Sequence, residues 1–268
     1  MLTRPHSRRN TENTAEAAIN SNAPYRNRSG LDAGKWQEKT YMQDSLLVID
    51  TDVFCSEGAF GHFYAKMPPE RQKKIDAFRF DRDKRLSLGA GVLLGSVAAQ
   101  TGAGNVLAGE NGKPYFADNS VQFNLSHSGH YAVCAVSDKP VGVDLEMVRD
   151  FREPLVRHVF DSGEQAFAQG SDERFTQLWT IKESVMKFFG QGVALSPKKI
   201  SISFAPGIIV STQGHDCAEL RFCVFAGQDF ALTVCSQKKD FCSGIRQVCV
   251  SKDLQLRTSA FDGAQRLY

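Results

Sequence analysis

Apolar residues in this chain switch between a period of two and a period near 3.6, and those switches predict its elements. Residues 45–52 (SLLVIDTD) form a short apolar run that predicts a first strand. Pro68 and Pro69 followed by Glu70 predict a helix start, with the acid in the first turn, where it complements the helix dipole. A long helix is predicted over 83–101, ended by Gly102, and its apolar residues cover most of the circumference, so it should be buried. Asn111-Gly112 predicts a tight turn with Lys113 just after it. Two strands, 121–124 and 131–137, flank a polar Ser126-His127-Ser128-Gly129 turn. After a turn at Asp138-Lys139-Pro140, Val141, Val143 and Leu145 alternate with Gly142, Asp144 and Glu146, which predicts a strand with its two acids on one face. A helix start follows at 160–164, with Asp161 or Ser162 as cap, and a second long helix over 172–190. Three strands are predicted at 200–204, 220–225 and 230–235, the last two as a hairpin. Residues 1–44 lack periodicity and read as a flexible leader; from 237 to 268 the pattern fades, which predicts a weakly packed tail.

The order strand, long helix, strand hairpin occurs twice, and HYAVCAVS resembles DFALTVCS. This predicts an α+β fold of two similar α/β halves, 45–142 and 143–236, facing each other across a cleft. Net charge is only +2, which does not call for nucleic acid, and no apolar run approaches the length of a membrane-spanning helix. Nothing near the N-terminus has a secretory apolar core. Seven cysteines, none in a CxxC pair, fit buried reduced thiols in a cytoplasmic protein better than a zinc site or a disulfide framework.

Asp144 and Glu146 would sit roughly 6–7 Å apart at a strand rise of about 3.3 Å per residue, and they repel unless a cation lies between them. Mg²⁺ is the usual answer; two solvated carboxylates at a strand end is the other. The Ser126-His127-Ser128-Gly129 arc offers hydroxyls, an imidazole and N–H groups to phosphate oxygens, although such residues dominate ordinary turns. Glu183 and Lys187 are four apart, the commonest surface pair and worth about 0.2–0.5 kcal/mol. Arg71 and Lys74 share a helix face, and Arg85 lies near a helix start, where it can join N–H groups in an anion site.

In combination these segments say more. Asp-Lys-Arg-Leu-Ser-Leu-Gly at 83–89, Gly-Lys-Pro at 112–114, Phe-Asn-Leu-Ser-His-Ser-Gly at 123–129, Pro-Val-Gly-Val-Asp-Leu-Glu at 140–146, Phe-Asp-Ser-Gly-Glu at 160–164 and Trp-Thr-Ile-Lys-Glu-Ser-Val-Met-Lys at 179–187, in that order, resemble the 4′-phosphopantetheinyl transferases of the Sfp type. The resemblance implies a pseudo-twofold monomer with coenzyme A and Mg²⁺ in the cleft. It implies Asp144, Glu146 and Glu183 as metal carboxylates and Lys187 as a pyrophosphate ligand. Ser126, His127 and Arg85 would contact coenzyme A phosphates, Lys113 would lie near the nucleotide, and Arg71 with Lys74 would reach the 3′-phosphate. Arg71 stands where the family usually has lysine. Asp144 and Glu183 would act in catalysis, Glu183 as general base toward a serine of an apo acyl or peptidyl carrier protein of a fatty-acid, polyketide, polyunsaturated-lipid or peptide synthase. Phosphodiester hydrolysis by the same carboxylates and a catalytically silent coenzyme A binder are the alternatives.

Overall fold

The computed structural model describes residues 44–268 except 120, 151–152, 205–206, 240 and 242–243; apart from Asp44, the expected leader lies outside the described residues. The first half runs β1 (Ser45–Asp50), a 3-10 turn, α1 (Glu57–Tyr64), α2 (Pro69–Asp76), α3 (Asp81–Thr101), a small hairpin of β2 (Val106–Ala108) and β3 (Pro114–Phe116), then β4 (Gln122–Ser128) and β5 (Tyr131–Ser137). The second runs β6 (Val141–Met147), α4 (Glu153–Val159), α5 (Ser162–Ala168), α6 (Asp172–Phe189), a hairpin of β7 (Ile200–Ser203) and β8 (Ile209–Thr212), then β9 (Arg221–Gly227) and β10 (Phe230–Ser236). Here β1–α3–β4–β5 matches β6–α6–β9–β10. In each unit the first strand pairs antiparallel with the last, and the hairpin completes the sheet. The sequence similarity between the two strands is that of β5 and β10, each internal to its own sheet. Because β6 belongs whole to the second sheet, the break between halves falls in the Asp138–Pro140 turn.

The predicted tail is structured. It forms β11 (Ile245–Val250), β12 (Leu256–Ala260) and β13 (Ala264–Arg266). β11 and β12 extend the first sheet, ordered β12-β11-β1-β5-β4, and β13 edges the second, ordered β13-β9-β10-β6. Phe241, Ile245 and Val248 are buried, so these strands are held by distant partners that local periodicity does not reveal. Leu46, Val48, Val133 and Ala135 from the first sheet meet Val143, Leu145, Leu232, Val234 and Phe241 in a core between the sheets. α3 and α6 each cover the other face of their own sheet, over separate cores.

At the junction, β4 lies beside β6 without a backbone ladder. Side chains of alternate β4 residues take the place of carbonyls. Asn124 Oδ1 accepts from Val143 N (2.8 Å), Ser126 Oγ from Leu145 N (3.3 Å) and Ser128 Oγ from Met147 N (3.2 Å). A period of two in Asn-Leu-Ser-His-Ser thus becomes a polar seam, because alternate side chains share one side of a strand. The expected four-residue polar turn is shorter: β4 runs through Ser128, and only Gly129 and His130 turn the hairpin, with Gly129 at φ +61°.

Candidate active site

The site is built where β6 and α6 touch. Gly142 permits the contact. A Cβ there would lie 2.5 Å from Phe188 N, 2.9 Å from Phe188 Cα and closer still to the Ser184 carbonyl. Two further contacts fix α6. At mid-helix the fully buried Lys182 pairs with Glu164 Oε2 (2.7 Å) and donates to the carbonyls of Val159, Pro197 and Ile200. Glu164 in turn closes a capping box with Asp161 and accepts from Ile202 N (2.9 Å). Every charge in this hub is matched, as burial requires. At the C-terminal end, Gly190 closes the helix in the left-handed region at φ +67°.

Asp144, 2% exposed, sits under this contact. Its Oδ1 accepts from Ser126 Oγ (3.0 Å) and from Lys187 Nζ (2.7 Å), and Lys187 also donates to Ser126 Oγ (3.1 Å). The other oxygen, Oδ2, is buried with no hydrogen-bond partner. Glu146, two residues on, accepts from Ser128 Oγ (2.9 Å). Burial first and the Asp144 charge second push its carboxyl up to about 7. Glu183 lies one turn before Lys187 on α6, half-buried. Among the described residues no group of three or more His, Cys, Asp or Glu side chains stands close enough together to hold a metal ion unaided.

Beside the acids lies a basic wall. Burial first, and then the charges of Lys187, Lys74 and Arg71, lower the His127 imidazole to about 4. His127 as a residue is nonetheless exposed to solvent. Lys74 is lowered to about 8, by burial and then by Arg71. The structure therefore brings Arg71 and Lys74 from α2, His127 from β4 and Lys187 from α6 within reach of one another's fields. The Arg85 guanidinium forms a loose 3.9 Å pair with Asp52. Ser126 is committed to the seam and to Asp144. Lys113 directs its ammonium at the carbonyls of Val141 (3.1 Å), Lys187 (2.7 Å) and Phe188 (3.1 Å). Sequence reasoning missed Asn124, Ser128, Gly142, Glu164 and Lys182. The Asn-x-Ser-x-Ser alternation was the available signal for the first two.

Comparison with known proteins follows the same division of the chain. Residues 140–235 match the family model of the 4′-phosphopantetheinyl transferase superfamily, and residues 55–139 match that of the 4′-phosphopantetheinyl transferase N-terminal region. Over 205 residues the chain is 31% identical to a 4′-phosphopantetheinyl transferase of Bacillus subtilis, covering 71% of this chain and 91% of the relative. The chain belongs to the 4′-phosphopantetheinyl transferase superfamily. It is an enzyme of the Sfp type. Identity to the 4′-phosphopantetheinyl transferase Sfp of Bacillus subtilis strain 168 is 28% over 201 residues, covering 69% of this chain and 89% of Sfp. With the 4′-phosphopantetheinyl transferase HetI of Nostoc it is 30% over 182 residues, covering 63% and 71%. The two matched regions of this transferase meet at the turn before β6. The candidate site spans that junction, where Ser126 from one region meets Asp144 and Lys187 from the other. The family-model matches end at Cys235, so β11, β12 and β13 lie beyond those two models.

Proposed function

We propose that this transferase moves 4′-phosphopantetheine from coenzyme A to a serine of an apo carrier protein, releasing adenosine 3′,5′-bisphosphate. The observation that carries the reading is an acidic pair with one carboxylate oxygen buried and unpartnered, standing beside a basic wall. Asp144 Oδ2 is buried and unpartnered, and Glu146 is held up at about 7 by burial and by its acidic neighbour. A hard divalent ion with oxygen ligands answers both, and Mg²⁺ keeps few protein carboxylates and takes its other oxygens from phosphate and water. The donor set therefore fits Mg²⁺, with Asp144 and Glu146 as ligands and Glu183 as a third from α6. When bound, the ion would supply charge neutralisation at the diphosphate.

The chain's own groups do the rest. Lys74 and His127 are disfavoured as cations where they stand, first because they are desolvated and then because positive charges crowd them. A phosphate dianion relieves that crowding, so Arg71, Lys74 and His127 form the pocket for the nucleotide 3′-phosphate, and arginine adds bidentate contact. Lys187, bridging Asp144 and Ser126, is the cation beside the diphosphate. The carrier serine Oγ attacks the phosphopantetheine phosphorus, and the bond to the bridging oxygen breaks. Glu183 takes the serine proton, and the bisphosphate leaves with the bond's electrons. Both walls come from one chain, so a monomer suffices.

The test is incubation with labelled coenzyme A, Mg²⁺ and a panel of apo carrier proteins, comparing wild type with Glu183→Gln. Label on a carrier serine, lost in the variant, is the expected result. Unchanged turnover in the variant removes Glu183 from the base role. Release of free phosphopantetheine without a carrier would make the enzyme a hydrolase. Magnesium-independent binding of coenzyme A without transfer would make it a silent binder.

A further inference from the structure

We infer that Lys113 is a positioning residue of the transfer reaction: from the first half it locks the last turn of α6 onto the start of β6. The inference rests on the reaction proposed above. Lys113 belongs to the turn between β2 and β3, yet its ammonium ends in the second half. An ammonium has three N–H donors, and three carbonyls take them: Lys187 at 2.7 Å, Phe188 at 3.1 Å and Val141 at 3.1 Å. Two of these lie in the final turn of α6, where carbonyls lack intrahelical partners and the helix dipole is negative, so a cation is favoured there. The third belongs to the first residue of β6, three before Asp144. One side chain thus ties the helix bearing Glu183 and Lys187 to the strand bearing Asp144 and Glu146. Gly190 leaves the passage open, since a Cβ there would stand 3.2 Å from Lys113 Cδ. The amine is desolvated enough to be lowered to about 8, as befits a group inside the junction.

A nucleotide contact and a positioning role predict different kinetics. A contact acts on substrates that carry the nucleotide. A positioning residue acts on every substrate alike, because it sets the distance between the reacting groups. The test uses the full chain with Lys113→Met and two donors, coenzyme A and the methyl diphosphate of phosphopantetheine, which lacks the adenosine. We expect kcat to fall about 10- to 100-fold with both, in line with the cost of a misplacement near 1 Å, while KM for coenzyme A stays within about twofold. Lys113→Arg, which keeps the charge, recovers part of kcat. Independently of activity, hydrogen exchange of the Gly190 and Gln191 amides, bonded to the carbonyls of Lys187 and Met186, accelerates about tenfold or more. A KM increase confined to coenzyme A, or unchanged exchange at those amides, overturns the inference. If wild type transfers to no carrier, the proposed reaction fails while the exchange measurement still decides the role of Lys113. Should Lys113→Met not fold, Lys113→Gln, which also removes the cation, is carried through the same comparison with the same criteria.

Discussion

Replacing Gly142 with alanine tests the physical basis of the site directly. The added Cβ would stand 2.5 Å from Phe188 N and 2.9 Å from Phe188 Cα, with the Ser184 carbonyl nearer still. Ordinary contact between such atoms begins near 3.5 Å, so α6 must retreat by roughly 1 Å, and all the obstructing atoms are backbone. Overpacking of this kind costs about 1–3 kcal/mol. At about 2–4 °C per kcal/mol for chains of this size, the melting temperature falls by roughly 2–12 °C. The same retreat carries Lys187 away from Asp144, and a shift near 1 Å costs on the order of 100-fold in rate. Thermal melts report the first effect and single-turnover transfer to a carrier the second. Gly61, in α1 with nothing near its would-be Cβ, is the control; alanine there should be neutral or stabilise by about 0.5–1 kcal/mol. The reasoning is refuted if Gly142→Ala melts with wild type and transfers at the wild-type rate.

Three further outcomes follow from the same contacts. Lys182→Met strands Glu164 in the core and should cost about 3–5 kcal/mol in urea unfolding, with Glu164→Gln in the same chain recovering part of the loss. Ser128→Ala removes the acceptor for Met147 N and the donor to Glu146; we expect about 1–3 kcal/mol lost, and the Glu146 carboxyl, already near 7, shifted further up when followed by carbon NMR. His127 titrates near 6.5 unfolded but is lowered to about 4 in the fold, so its contribution to stability is present above pH 6.5 and is lost as pH falls through 4. Melts of His127→Gln against wild type across that window should show a shallower decline in the variant.

Much of the fold was legible because its strongest periodicities are local. The long helices α3 and α6 carry their own apolar coverage and glycine stops, and the β5 and β10 strands announce themselves by composition. Asp144, Glu146 and Lys187 were legible as a group through motif order, and the structure brings Lys187 onto Asp144. What escaped was set by distant partners. β11 takes its place from β1, not from the sparse apolar residues of IRQVCV. Lys113 and Arg85 read as ligands because a cation near a turn or a helix start is the ordinary sign of one; the carbonyls and the aspartate they meet in the fold are brought in by tertiary packing and could not be read from the sequence. Gly142 looked like a gap in an alternating pattern, and only the helix backbone above it explains the missing side chain.

The strands after Ser236 have a consequence for how the molecule is made. β1 lies between β5 and β11, and Lys238 pairs with Asp44 across 194 residues of chain. During synthesis the neighbour on one edge of β1 is translated long after β1 itself. The amino-terminal unit therefore cannot finish folding vectorially, and its sheet waits with an open edge while the rest of the polypeptide is made. Contacts this distant slow folding and prolong exposure to aggregation. Splitting the gene at the Asp138–Pro140 turn would yield two fragments, of which the first lacks the strand that shields β1.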